Sequence, residues 1–188
     1  MQRGTRMLVV LIGKTASGKT TIADLLERNH EYQKIITYTS RPMRDGEIDG
    51  YTYHFISDEE FHNKVDEDFF LEYKSYTVAD GSKWYYGSPK DEFYSSEDSI
   101  IILTPDGYRD FLKHNIPHKS IYIYSNLSTI RKRLIERGDD KTEAERRVQH
   151  DIIDFKGIEN EVDFIVYNNY DSDINSVVNT ILEKVKGI

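Results

Sequence analysis

The chain of 188 residues is 38% hydrophobic and 31% charged, with a formal net charge of −8. That length holds one sizeable domain with small inserted parts, and the acidic balance argues against a nucleic-acid duplex or an anionic membrane as main partner. With no cysteine and no apolar run of membrane-spanning length, disulfides, thiolate metal sites and a membrane helix are excluded, and a cytoplasmic protein is expected.

Residues 7–12 (MLVVLI) form a continuous apolar run of strand length. Gly13-Lys14-Thr15-Ala16-Ser17-Gly18-Lys19-Thr20 follows in the pattern G-x-x-x-x-G-K-[ST], and residues 21–29 repeat Ile22, Leu25 and Leu26 at helical spacing. Strand, glycine loop and helix together make a phosphate site. The glycines let several backbone N–H groups point at one phosphate, and the helix adds its positive end. Lys19 is expected to reach the β- and γ-phosphates of ATP, the Thr20 hydroxyl to hold Mg2+, and Thr21 to complete the ATP-binding stretch.

Downstream, residues 34–37 read as a short strand, 40–50 as a charged stretch without periodicity, and 51–55 as an alternating strand. Ser57-Asp58-Glu59-Glu60 is a capping box that should open a helix. Residues 69–76 and 84–86 read as strands joined by a loop containing Asp80-Gly81. Ser88-Pro89 predicts another helix start, with Ser at the N-cap and Pro in the first turn. Residues 100–103 (IIIL) form a buried-strand run, 106–114 a helix, and 121–124 (IYIY) a strand. Residues 128–137 form a basic helix stopped by Gly138, and Thr142-Glu143-Ala144-Glu145 is a second capping box before Arg146 and Arg147. Residues 164–166 are the last strand, and the final helix puts Ile174, Val177, Val178, Ile181, Leu182 and Val185 on one stripe.

Short apolar strands alternating with amphipathic helices predict an α/β fold, a P-loop NTPase-type parallel sheet flanked by helices. The Tyr-rich section 37–87 breaks the rhythm as an inserted monophosphate-binding subdomain, and 128–150 breaks it again as an Arg-rich helical lid. The core is then 1–36, 88–127 and 151–188 of a single domain. A nucleotide core with two excursions is the architecture of a nucleoside monophosphate kinase, in which movable parts close over a fixed loop.

Arg41 and Arg44 lie on a Gly-flanked stretch where two guanidiniums could clamp a phosphate, and the hydroxyls of Tyr53 and Tyr86 could donate to the same group. The run Thr39-Ser40-Arg41-Pro42-Met43-Arg44-Asp45-Gly46-Glu47-Ile48-Asp49-Gly50-Tyr51-Thr52-Tyr53-His54-Phe55 resembles the T-T-R-x-P-R-x-G-E-x-x-G-x-x-Y-x-F run of the guanylate kinase family. The resemblance implies that Arg41, Arg44, Tyr53 and Tyr86 bind the acceptor monophosphate. It implies that Glu72 reads guanine N1–H and N2–H2, with hydroxyls at Ser88 and Thr37 near the base. It makes Arg133, Arg137 and Arg147 the lid arginines that act with Lys19 in catalysis, and puts Asn168 beside adenine. Ser88 has a competing role as helix N-cap.

Three departures from the family pattern stand out. Lys14, Thr15 and Ala16 replace Pro, Ser and Gly in the loop; Thr104 replaces the first aspartate of D-x-D-x-Q-G, leaving Asp106; and the loop between Glu72 and Tyr86 is longer, carrying Asp80, Lys83 and Trp84. The expected reaction is transfer from ATP to GMP or dGMP with Mg2+, by a monomer or homodimer with no nucleic-acid or membrane partner. The alternatives are another acceptor such as ribose 1,5-bisphosphate, and a non-catalytic phosphopeptide-binding module.

Overall fold

The computed structural model describes residues 6–44, 46–78 and 81–187. In chain order the elements are β1 (Leu8–Ile12), α1 (Lys19–His30), β2 (Gln33–Lys34), β3 (Tyr38–Thr39), β4 (His54–Phe55), α2 (Asp58–Asp66), β5 (Phe70–Thr77) and β6 (Lys83–Pro89). Then come β7 (Ser99–Ile102), α3 (Pro105–Leu112), β8 (Lys119–Tyr124), α4 (Leu127–Glu136), α5 (Lys141–Asp154), β9 (Phe164–Tyr167) and α6 (Ile174–Lys186).

The core sheet has the order β2-β7-β1-β8-β9, every pair parallel. Its centre is β1, buried throughout. Side chains alternate across a strand, so Val9 and Leu11 join the cluster under α1 and α6, while Leu8, Val10 and Ile12 join the cluster with Tyr108 and Phe111 of α3. Burying each such side chain contributes about 1.5–3 kcal/mol. Both faces are therefore filled, and the carboxyl end of β1 is a rigid platform for the loop that follows it.

A second sheet, of order β4-β3-β6-β5, stands over that end of the core. The long antiparallel pair β5 and β6 supplies its frame, with Glu72 opposite Ser88, Lys74 opposite Tyr86 and Tyr76 opposite Trp84. Phe61 of α2 stacks on Phe70 at 4.6 Å and seals the outer face.

The capping box at Ser57 forms as expected, Ser57 and Glu60 each accepting from the other's backbone N–H. Gly138, at φ +82°, ends α4 through Gly138 N to Ile135 O at 3.0 Å and Asp139 N to Leu134 O at 3.1 Å. Elsewhere tertiary pairing overrides the local reading. Ser88 and Pro89 open no helix: they end β6, and the Ser88 hydroxyl turns across the ladder to Glu72 instead of capping. Thr142 caps nothing, because Asp140 accepts from Glu143 N and starts α5 at Lys141. Residues 35–37 and 51–53 lie outside the strands, which pair only at Gln33–Lys34 and His54–Phe55. Asp45 and Asp80 lie outside the described residues.

Candidate active site

The loop after β1 takes its shape from backbone conformation. Ala16 and Gly18 have φ of +53° and +96°. A Cβ on Gly18 would meet Asn168 Nδ2 at 2.4 Å, so only glycine fits between α1 and β9 there. Ser17 is fully buried. Asn168 braces the loop, its Nδ2 donating to Ser17 O at 2.8 Å. Arg133 reaches in from α4 to Ala16 O at 3.2 Å and Asn169 O at 3.1 Å. Lys19 folds back, its Nζ donating to Gly13 O at 2.6 Å and Lys14 O at 2.9 Å. Burial pulls its pKa down to about 8, against the pull of Asp151. Asp151, from α5, accepts from Thr15 N at 2.6 Å. Thr20 and Thr21 are exposed at the start of α1.

Three of the arginines around this loop, Arg41, Arg137 and Arg147, already hold an internal counter-charge. Arg137 pairs with Asp139 through two bonds of 2.6 Å. Arg147 pairs with Glu143 at 2.8 Å and Asp139 at 3.5 Å. Arg41, only 4% exposed, pairs with Glu47 and lies 5.0 Å from the Tyr53 ring centroid. Arg44 differs: among the described residues its guanidinium has no ion pair, and desolvation first, then Arg41 and Arg147, lowers its pKa. Positive charge from the inserted sheet and from α5 thus converges on one place. Fixed cations that repel one another are relieved by an anion.

Glu72 sits at the far end, buried, with the Ser88 hydroxyl donating to its Oε1. Burial raises its pKa to about 7, the Ser88 bond opposing. The rings of Tyr53 and Tyr86 meet edge-on at 6.0 Å beside Arg41. A cavity of about 490 Å3 joins the two ends, lined by Gly13, Thr15 and Lys19 on one side, by Thr37, Arg44, Tyr53, Glu72, Tyr86 and Ser88 on the other, and by Arg147 above. Arg41, Arg133, Arg137 and Asn168 are next to this site but are not among the residues that line the cavity.

Glu47, Asp151 and Tyr76 gain a role only in the structure, and Thr104, met in the sequence as a departure from the family pattern, joins them. Glu47 and Asp151 supply internal counter-charges, and Tyr76 and Thr104 line the cavity next to Glu72. Thr104 is also the N-cap of α3, a signal the sequence did carry in Thr104-Pro105. Asp106 turns away to Arg109 at 3.0 Å.

A family model described as guanylate kinase matches residues 5–185. The chain belongs to the guanylate kinase family. A guanylate kinase of Wolinella succinogenes is 33% identical over 89% of this chain and 79% of its own length. One of Clostridium tetani is 32% identical over 100% and 86%. Among solved structures, guanylate kinase from Anaplasma phagocytophilum covers 100% of this chain and 88% of its own at a TM-score of 0.72 and 20% identity, which shows the shared fold. The protein is a kinase, a phosphotransferase of that family. No helix among the described residues is long and apolar enough to cross a membrane.

Proposed function

We propose that the protein transfers the γ-phosphoryl group of ATP to GMP or dGMP, giving ADP and GDP or dGDP. The observation that carries this reading is the buried Glu72 carboxylate, fixed by Ser88 in the same cavity as Lys19. A carboxylate accepts two N–H bonds, which suits guanine N1–H and N2–H2. Adenine offers an acceptor at N1 and would leave the buried oxygen unpaired.

The remaining residues divide by end. Arg44, with Arg41, Tyr53 and Tyr86, would bind the acceptor phosphate and orient its oxygen towards the donor. The N–H groups of the glycine loop and Lys19 would hold the triphosphate, with Arg137 and Arg147 stabilising charge spread over the transferred phosphoryl oxygens. No general base is needed, since a monophosphate oxygen is already an anionic nucleophile. Thr20, exposed beside Lys19, fits a Mg2+ held by one hydroxyl and by nucleotide oxygens, where the ion would offset triphosphate charge.

The test is ADP release from Mg·ATP with GMP, dGMP, AMP, CMP, UMP, dTMP and ribose 1,5-bisphosphate, each also run with Glu72→Gln. Turnover confined to the guanine nucleotides, and impaired in the variant, is expected. Turnover of another acceptor that Glu72→Gln leaves untouched would refute the base reading. ATP binding with no turnover of any acceptor would favour a phosphopeptide-binding module.

A further inference from the structure

Alternate residues of β5 face the first turns of α3. Glu72 Oε2 lies 3.0 Å from where a Cβ on Gly107 would sit, Lys74 pairs with Asp110 at 2.7 Å, and Tyr76 Oη donates to Thr104 Oγ1 at 3.1 Å. Thr104 Oγ1 also accepts from Gly107 N at 3.2 Å as the cap of α3. A hydroxyl has two lone pairs and one hydrogen. With both lone pairs engaged, the Thr104 hydroxyl has one role left, to donate its own hydrogen.

That hydrogen has somewhere to go. Thr104 is exposed and lines the cavity with Glu72, and its Oγ1 lies 3.2 Å from the same point above Gly107. Tyr76 is held firmly in place, opposite Trp84 in the ladder and edge-on to the Tyr86 ring at 5.7 Å. Burial pushes its phenol pKa up to about 12, so the hydroxyl that donates to Thr104 stays protonated. The pocket therefore sets a donor beside the Glu72 carboxyl, an acceptor when ionised, and the pair can read two neighbouring atoms of opposite kind.

We propose that Thr104 is a specificity-determining residue of the acceptor site, its hydroxyl oriented by Tyr76 and the Gly107 amide to donate to a lone pair on the nucleotide edge beside the groups that Glu72 reads. This rests on the acceptor reading proposed above. On a guanine nucleotide the lone pair belongs to O6, to N3 or to the ribose 2′-hydroxyl, and analogues distinguish them.

The experiment compares Thr104→Val, Thr104→Ser and Tyr76→Phe in steady-state kinetics with GMP, dGMP, 3-deaza-GMP and 6-thio-GMP, whose sulfur replaces O6 as a much weaker acceptor while N1–H is kept. Thr104→Val should raise the KM of GMP about tenfold, the size of one lost hydrogen bond, with kcat and the KM of ATP within about twofold. Thr104→Ser, which keeps the hydroxyl, should stay within about twofold of wild type. Tyr76→Phe, which only frees the hydroxyl to turn, should cost about threefold and add nothing on top of Thr104→Val. The Thr104→Val penalty should vanish with the one analogue in which the partner atom is missing or replaced. An unchanged KM in Thr104→Val, a penalty shared by Thr104→Ser, or a penalty equal with every analogue would overturn the proposal. If wild type uses no guanine nucleotide, the acceptor reading falls by itself. The Val-to-Ser contrast in KM, or in Kd by calorimetry, on the acceptor it does bind then decides Thr104 separately.

Discussion

The two ends of the cavity are built in opposite ways. The donor end is one continuous stretch, Gly13 to Thr20, whose binding groups are main-chain N–H donors held in place by positive φ at Ala16 and Gly18 and by the brace of Asn168. The acceptor end is assembled from side chains brought together by β3, β5, β6 and the first turn of α3. Main-chain donors see a phosphate and little else, so Lys14 and Thr15 can replace the family's residues with the loop's shape kept, while Ala16 takes the left-handed φ of +53° that a glycine adopts more easily. Side chains can see a base. On the proposed function the chain would hold the triphosphate with its backbone and read the acceptor with its side chains, and substitutions at the two ends should fail in different ways.

The largest expected effect is at the donor end. Lys19→Met removes the cation that folds onto the carbonyls of the loop and should lower kcat about a thousandfold, while GMP binding stays within a few-fold. Calorimetry with GMP checks the second half; loss of GMP binding as well would mean that the ends are not separable. Next comes Glu72→Gln, which trades an acceptor for a donor at one oxygen. The kcat/KM for GMP should fall about a hundredfold, and the KM of ATP should hold.

The same contrast explains what could be read from the letters alone. The donor loop was legible because its residues are adjacent and its neighbours, an apolar strand and an amphipathic helix, are local features. The parallel core was legible for the same reason, from runs such as 100–103 and 121–124. Ser88-Pro89 misled because the local capping signal says nothing of the cross-strand partner Glu72, which takes the hydroxyl. Thr142 misled because Asp140 stood two residues earlier with a stronger claim to the cap. Asp151 and Tyr76 gave no signal at all: an acidic residue or a tyrosine acquires its role only when a distant Thr15 or Thr104 is folded against it.

A smaller effect should come from Arg44→Ala. Arg41 has Glu47 as a partner, whereas the Arg44 guanidinium has no ion pair among the described residues. Its removal should raise the KM of GMP by about ten- to thirtyfold with little change in kcat or in the KM of ATP, the size expected for one charged hydrogen-bonding partner. Arg44→Lys, which keeps charge but loses the fork, should fall between. An equal loss at both substrates would show that Arg44 serves the transferred group and not the acceptor alone.

The smallest effects are those of pH, and their signs differ at the two ends. Glu72, raised to about 7 by burial, must be ionised to accept two N–H bonds. The kcat/KM for the acceptor should therefore fall as pH drops through about 7, approaching tenfold per unit. Lys19, lowered to about 8 by burial, must be protonated to hold the phosphates. The kcat/KM for ATP should fall as pH rises through about 8. The acceptor phosphate titrates near 6, so Glu72→Gln is the control that isolates the carboxylate. Stability without nucleotide gives a second readout of the same group. The folded pKa of Glu72 lies above its ordinary 4.5, so its contribution is full below that value and is lost as pH rises through about 7. Lys19 adds its own slope only above about 8. Glu72→Gln should therefore raise the melting temperature relative to wild type at pH 8 and leave it nearly unchanged at pH 5. A difference of equal size at both pH values would mean that the carboxylate is not held in the buried setting from which its base selectivity is argued, and the contrast between a backbone-built donor end and a side-chain-built acceptor end would lose its clearest member.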